Sequence, residues 1–147
     1  MDSIILTEEN LSIEEACQRV GDNTCGAIST FVGTTRDSFE GKRVISLVYE
    51  TYKPMAVKEM EKICARMRQR WDGVRHICFR HRLGEVAIGE ASVIIAVSSV
   101  HRADALAAVG YAIDELKKTV PIWKKEQYAD EPAVWKENTE CDWKSPS

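Results

Sequence analysis

His101–Lys125 reads HRADALAAVGYAIDELKKTVPIWKK, and the fold turns on how this stretch is parsed. Leu106, Val109, Ile113 and Leu116 recur three and four residues apart, which lays apolar side chains along one face of an α-helix. Val120-Pro121 closes that helix, because a residue before proline avoids the α region and proline has no N–H to extend the ladder. The chain leaves as Ile122-Trp123-Lys124-Lys125, extended and rich in lysine. In an unbroken helix Lys117 and Lys124 would stack about 10 Å apart on one side. With Pro121 turning the chain between them, both can face one cavity.

Two readings of these lysines stand side by side. Cations in the last helical turn complement the negative end of the helix dipole, and lysines beyond it simply keep a surface solvated. A lysine crowded by other cations or by apolar walls instead becomes a nucleophile or base near neutral pH, a change the dipole at Lys117 opposes. Spacing leaves both open.

Working outward, Ala91–Ser98 is a near-continuous β-branched run suited to a central strand. Before it, Ile77, Phe79, His81 and Leu83 alternate as a strand, with a turn expected over Gly84–Gly89. Ala56, Met60, Ile63, Cys64, Met67 and Trp71 keep helical spacing, from Pro54 in the first turn to a stop at Asp72-Gly73. Gly26–Gly33 and Val44–Tyr52 read as strands joined by a polar loop, and so as a wide hairpin. Ser12 with Glu15 makes a capping box for a first helix, for which Gly21 offers a left-handed stop. The order predicts an α+β fold: a single domain over 1–147, an antiparallel or mixed sheet and three main helices. From Gln127 onward Tyr128, Trp135 and Trp143 sit among charges, which marks 127–147 as a tail that docks on its own domain or on another subunit.

Composition narrows the function classes. A length of 147 residues suits one domain, and no apolar run approaches a membrane span, so a soluble chain without a membrane partner is expected. A net charge of -3 argues against a general nucleic-acid binder. The start, Met1-Asp2-Ser3, lacks a basic and apolar leader, which makes cytosolic residence the expectation. Five scattered cysteines, none in a C-x-x-C pair, suggest neither disulfides nor a zinc site, and Cys25 has no visible base to activate it. Nucleotide-loop, Rossmann, zincin and serine-hydrolase motifs are absent from the sequence.

Other cationic groups stand apart from the lysines. Arg36 lies in the polar loop, and His101-Arg102 open the third helix, where free N–H groups and the dipole favour an anion. Arginine supplies a bidentate fork for phosphate and histidine a further donor. The alternative is a surface arginine and a capping histidine. His76 and His81 are expected on the sheet surface or satisfied in the core, with no role. The residues alone thus describe an acidic α+β domain whose cations can converge on a small anionic ligand.

Phe31-Val32-Gly33-Thr34-Thr35-Arg36-Asp37, Tyr49-Glu50, His81-Arg82-Leu83-Gly84, Ser99-Val100-His101-Arg102 and the run from Leu116 to Glu126 resemble the large, catalytic subunit of molybdopterin synthase, in its eukaryotic form. The resemblance spans nearly the whole chain. It implies an α/β hammerhead-like fold that dimerises, with a small ubiquitin-like subunit at each end of a heterotetramer. It also implies a sulfurtransferase of molybdenum cofactor biosynthesis. The partner's C-terminal Gly-Gly thiocarboxylate would enter a pocket and deliver sulfur to cyclic pyranopterin monophosphate (precursor Z). Two deliveries would make the dithiolene of molybdopterin through a half-sulfurated intermediate. Lys117 and Lys124 match the family's active-site lysines, and Arg36, His101 and Arg102 its anion-binding positions, with the dimer mate completing the pocket. Lys118 and Lys125 are expected to be solvent neighbours. No metal or organic cofactor is implied at this step. One departure stands out: bacterial relatives place an arginine near the tail tryptophan, whereas Val134 and Lys136 flank Trp135 here. A competing reading is a non-enzymatic adaptor that binds a ubiquitin-like partner through the lysines and the aromatic tail. A third is a phosphate-binding enzyme that needs no protein partner.

Overall fold

The computed structural model describes residues 1–129 and the backbone of 131–136. The elements run β1 (Asp2–Thr7), α1 (Ile13–Val20), β2 (Ala27–Thr34), a two-residue β3 (Ser38–Phe39), β4 (Lys42–Thr51), α2 (Lys53–Arg70), β5 (Val74–Arg82), β6 (Gly84–Ala87), β7 (Ala91–Ser99), α3 (Arg102–Thr119), β8 (Ile122–Tyr128) and β9 (Glu131–Lys136). One sheet has the order β1-β5-β7-β2, and the other has the order β3-β4-β8-β9 with β6 also paired to β4. Since β1 and β5 run parallel while the other pairs are antiparallel, this is the mixed-sheet α+β domain with three helices that the sequence predicts.

The first sheet is covered on both faces, which is why β7 reads as an unbroken apolar run. Val93, Ile95 and Val97 face the core built with α2 and α3, around the fully buried Phe79, Met60 and Ile63. Ile94 and Ala96 face Ala16 and Val20 of α1. Ser12 caps α1, its Oγ accepting the Glu15 N–H at 3.1 Å. The Glu15 carboxylate does not complete the box. It accepts instead from the buried Arg80 guanidinium at 2.8 Å.

The structure departs from expectation in several places. Leu106 is 63% exposed, because α3 buries the neighbouring stripe Ala105, Ala108, Val109, Ala112, Ile113 and Leu116. Alanines bring that helix close to the sheet, and Leu106 stands one residue, about 100° of rotation, off the stripe. The wide hairpin does not form: β2 pairs with β7, while β4 belongs to the second sheet. The polar loop folds on itself instead, with Ser38–Phe39 pairing Lys42–Arg43 across Glu40 and Gly41, both at positive φ (51° and 78°). Gly21 is no left-handed stop. Its φ is -58°, and its N–H closes the helix end on the Gln18 carbonyl at 3.2 Å. The expected turn over Gly84–Gly89 holds the strand β6, and β1 was not foreseen, since a short apolar run such as Ile4-Ile5-Leu6 carries no period of its own.

The tail begins as part of this fold. Tyr128 ends β8, and the backbone of 131–136 pairs with it, Lys125 opposite Trp135 and Lys124 opposite Lys136. Cys141 and Trp143 lie outside the described residues.

Candidate active site

A cavity of about 340 Å³ opens where the C-terminal end of α3 meets the second sheet. Its apolar wall includes Phe31, Val93, Ile113 and Leu116, and its polar wall Arg36, Tyr49, His81, Ser92, Lys117, Lys124 and Glu126. Lys117 comes from the last turn of α3. Pro121 then does what the sequence argues: Ile122 N–H bonds the Val120 carbonyl at 2.9 Å, a three-residue turn, and Thr51 Oγ1 donates to the Pro121 carbonyl. The chain emerges as β8 against β4, with Lys124 opposite Tyr49 and Glu126 opposite Leu47. Strand alternation points Ile122, Lys124 and Glu126 to the cavity and removes Trp123 and Lys125 from its lining.

The loop bearing Arg36 is held by its neighbour. Thr35 N–H bonds the Glu90 carbonyl at 3.2 Å, and Gly89 N–H bonds the Thr35 carbonyl at 2.9 Å. Gly33 leaves the room: a Cβ there would stand 2.7 Å from Val93 Cγ1. Glu126 is a buried carboxylate, 2% exposed, that accepts from the Tyr128 hydroxyl and lies 3.9 Å from Lys124 Nζ. A buried charge needs such partners to be tolerated. Burial raises the Tyr49 hydroxyl pKa and the Glu126 charge adds to the rise, while a hydrogen bond with Ser92 opposes it.

His81 was expected to have no role, yet it lines the cavity while being only 4% exposed. Its Nδ1 lies 2.7 Å from the Arg82 carbonyl oxygen, and the Tyr49 ring stands edge-on to it at 5.0 Å. A carbonyl only accepts, so this geometry assigns the proton to Nδ1 and leaves Nε2 bare. Burial lowers the imidazole pKa to about 4, so the ring is neutral at physiological pH.

Of the expected site residues, the structure brings Arg36, Lys117 and Lys124 to one cavity. It does not bring His101 and Arg102 there. They are exposed at the opposite end of α3, about 22 Å along the helix from Lys117. His101 sits at the N-cap position without a side-chain capping bond, which removes the capping explanation for it. Tyr49, His81 and Glu126 lie in the stretches that carry the family resemblance, yet none of them has a place in the site on sequence grounds. Alternation from Lys124 marks Glu126, and alternation from Phe79 marks His81 as inward-facing, although neither signal distinguishes a cavity from a core.

Fold and cavity together define an α+β domain with a cation-lined cavity. The family model described as "MoaE protein" matches residues 6–119. The chain is 61% identical over 142 residues to the molybdopterin synthase catalytic subunit of Bos taurus, covering 97% of this chain and 75% of the relative. It is 60% identical to that of Homo sapiens, covering 99% of this chain and 77% of the relative. It also superposes on molybdopterin synthase from Staphylococcus aureus with a TM-score of 0.85 at 36% identity, covering 89% of this chain and 94% of that one. The chain belongs to the molybdopterin synthase catalytic subunit family, and is thus an enzyme of molybdenum cofactor biosynthesis.

Proposed function

We propose that this cavity is the site where sulfur passes from the C-terminal thiocarboxylate of a small ubiquitin-like subunit to cyclic pyranopterin monophosphate. The observation that carries the reading is the convergence of Arg36, Lys117 and Lys124 on one cavity in a member of this family. A second subunit as donor is supported by the relatives' description as the catalytic subunit of molybdopterin synthase, which implies another subunit beside it. Among the described residues no helix is long and apolar enough to cross a membrane, which accords with a cytosolic reaction.

The roles follow from charge. Lys117 pairs with the thiocarboxylate and stabilises charge as its sulfur attacks the pterin side chain, and Lys124, fixed beside Glu126, assists proton transfer or carbonyl activation there. Arg36 holds substrate phosphate in a fork. His101 and Arg102 stand too far along α3 to serve their own cavity, so in this reading they serve the cavity of a second copy, within a homodimer flanked by two small subunits.

Removing one such electrostatic group is expected to slow transfer about 10²- to 10³-fold. Lys117→Ala and Lys124→Ala are therefore compared for sulfur transfer and for small-subunit affinity. Transfer lost with affinity kept supports an enzyme site. Affinity lost in step with transfer supports the adaptor reading.

A further inference from the structure

The cavity's charged groups mostly offer a ligand donors, the hydroxyls of Thr34, Ser38, Tyr49 and Ser92 can turn either way, and fixed acceptors are few. Arg36, Lys117 and Lys124 only donate, and Glu126 already accepts from Tyr128. His81 differs. Its Nδ1–H is committed to the Arg82 carbonyl at 2.7 Å, its ring lines the cavity, and Nε2 has no protein hydrogen-bond partner among the described residues. A bare acceptor on a side chain that is 4% exposed costs free energy unless a ligand or water meets it. The ring is also oriented from two sides, by the Arg82 carbonyl and by the edge-on Tyr49 ring, so its direction is set before a ligand arrives.

We propose that His81 is a ligand-binding residue whose Nε2 accepts a hydrogen bond from an N–H or O–H donor of the cavity's occupant. The site then selects a ligand that carries a donor near its anionic group, where a bare anion would satisfy the cations alone. Because the ring is neutral, it adds this acceptor without adding to the positive charge of the wall. The inference rests on the sulfur-transfer reading only for the identity of the occupant. Two sources have the required chemistry: a ring N–H of the pterin, and a backbone N–H of the small subunit's C-terminal tail.

The test is calorimetric binding of two probes, cyclic pyranopterin monophosphate and the small subunit's C-terminal peptide as its ordinary carboxylate, to the full chain. His81→Phe keeps a ring beside Tyr49 and removes the acceptor, whereas His81→Gln restores an amide oxygen near the position of Nε2. Loss of one hydrogen bond to the ligand is expected to weaken one probe about tenfold in His81→Phe, with part of the loss recovered in His81→Gln. The probe that weakens identifies the donor. A packing role alone would reverse the order of the two variants. Binding of both probes to His81→Phe within twofold of the unmodified chain overturns the proposal alone. Failure of the unmodified chain to bind either probe overturns it together with the sulfur-transfer reading. Should the variants not fold, 15N spectra of the unmodified chain decide: the Nε2 resonance shifts when a probe is added if the proposal holds, and stays fixed if it does not.

Discussion

Acid should destabilise this protein through His81 at a pH above that at which Asp22 and Glu90 take up protons. The imidazole pKa falls from 6.5 to about 4 on folding because the ring is buried. Below pH 6.5 the unfolded chain binds a proton that the folded chain refuses, so stability falls as pH drops, until both states are protonated near pH 4. Above pH 6.5 the residue contributes no slope. With these two values the loss between pH 7.5 and pH 5 is about 2 kcal/mol, approaching about 3 kcal/mol at pH 4 and below. Two carboxylates act lower. Asp22 is held at about 2 by its bonds to Thr24 and by His76, and Glu90 below its usual range by the Ala87 N–H and Arg82, so their stabilisation is lost as pH falls beneath this window. The assay is urea unfolding at pH 7.5, 6 and 5, at one fixed protein concentration because association also shifts stability. His81→Phe is the control: it strands the Arg82 carbonyl and is weaker at pH 7.5, yet it should lose about 2 kcal/mol less on acidification than the unmodified chain. Equal acid sensitivity of the two chains would refute the reasoning.

Further outcomes follow from the same geometry. Gly33→Ala forces a Cβ to within 2.7 Å of Val93 Cγ1, and thermal or urea unfolding should show a loss of about 1–3 kcal/mol. An unchanged midpoint would mean that the strand yields freely there. Phe79→Ala, at a fully buried position under α2 and α3, should cost about 3–5 kcal/mol by the same measurement. Mixing Lys117→Ala chains with Arg102→Ala chains should restore about a quarter of the sites through reassorted dimers, if each cavity takes its α3 N-terminus from the mate. No recovery of sulfur transfer on mixing would contradict a shared site.

How far the sequence reached depends on what each signal measures. Helices α2 and α3 and strand β7 were legible because periodicity and an unbroken β-branched run report burial directly. Leu106 shows the limit: four apolar residues of α3 fit a helical stripe, but alanines carry half of the true one, and alanine is too common on exposed faces to betray itself. The pairing of β2 with β7 was invisible for a different reason, since strand partners are set by loop geometry and by the free edge each strand finds. The lysines were legible as a pair only through Pro121, whose turn physics is local. His81 and Glu126 were not, because a polar residue facing inward looks the same in sequence whether a core or a cavity awaits it. Only the end of α3, the pairing of β8 with β4 and the side chain missing at Gly33 open that space.

The most direct measurement is a reaction of this chain with cyclic pyranopterin monophosphate and the thiocarboxylated small subunit, followed by mass spectrometry of both pterin and protein. A half-sulfurated intermediate is expected first, then a dithiolene product with two small-subunit thiocarboxylates converted to carboxylates for each one formed, and neither species with Lys117→Ala. An unmodified chain that binds the small subunit yet leaves its thiocarboxylate and the pterin intact would contradict the sulfur-transfer reading.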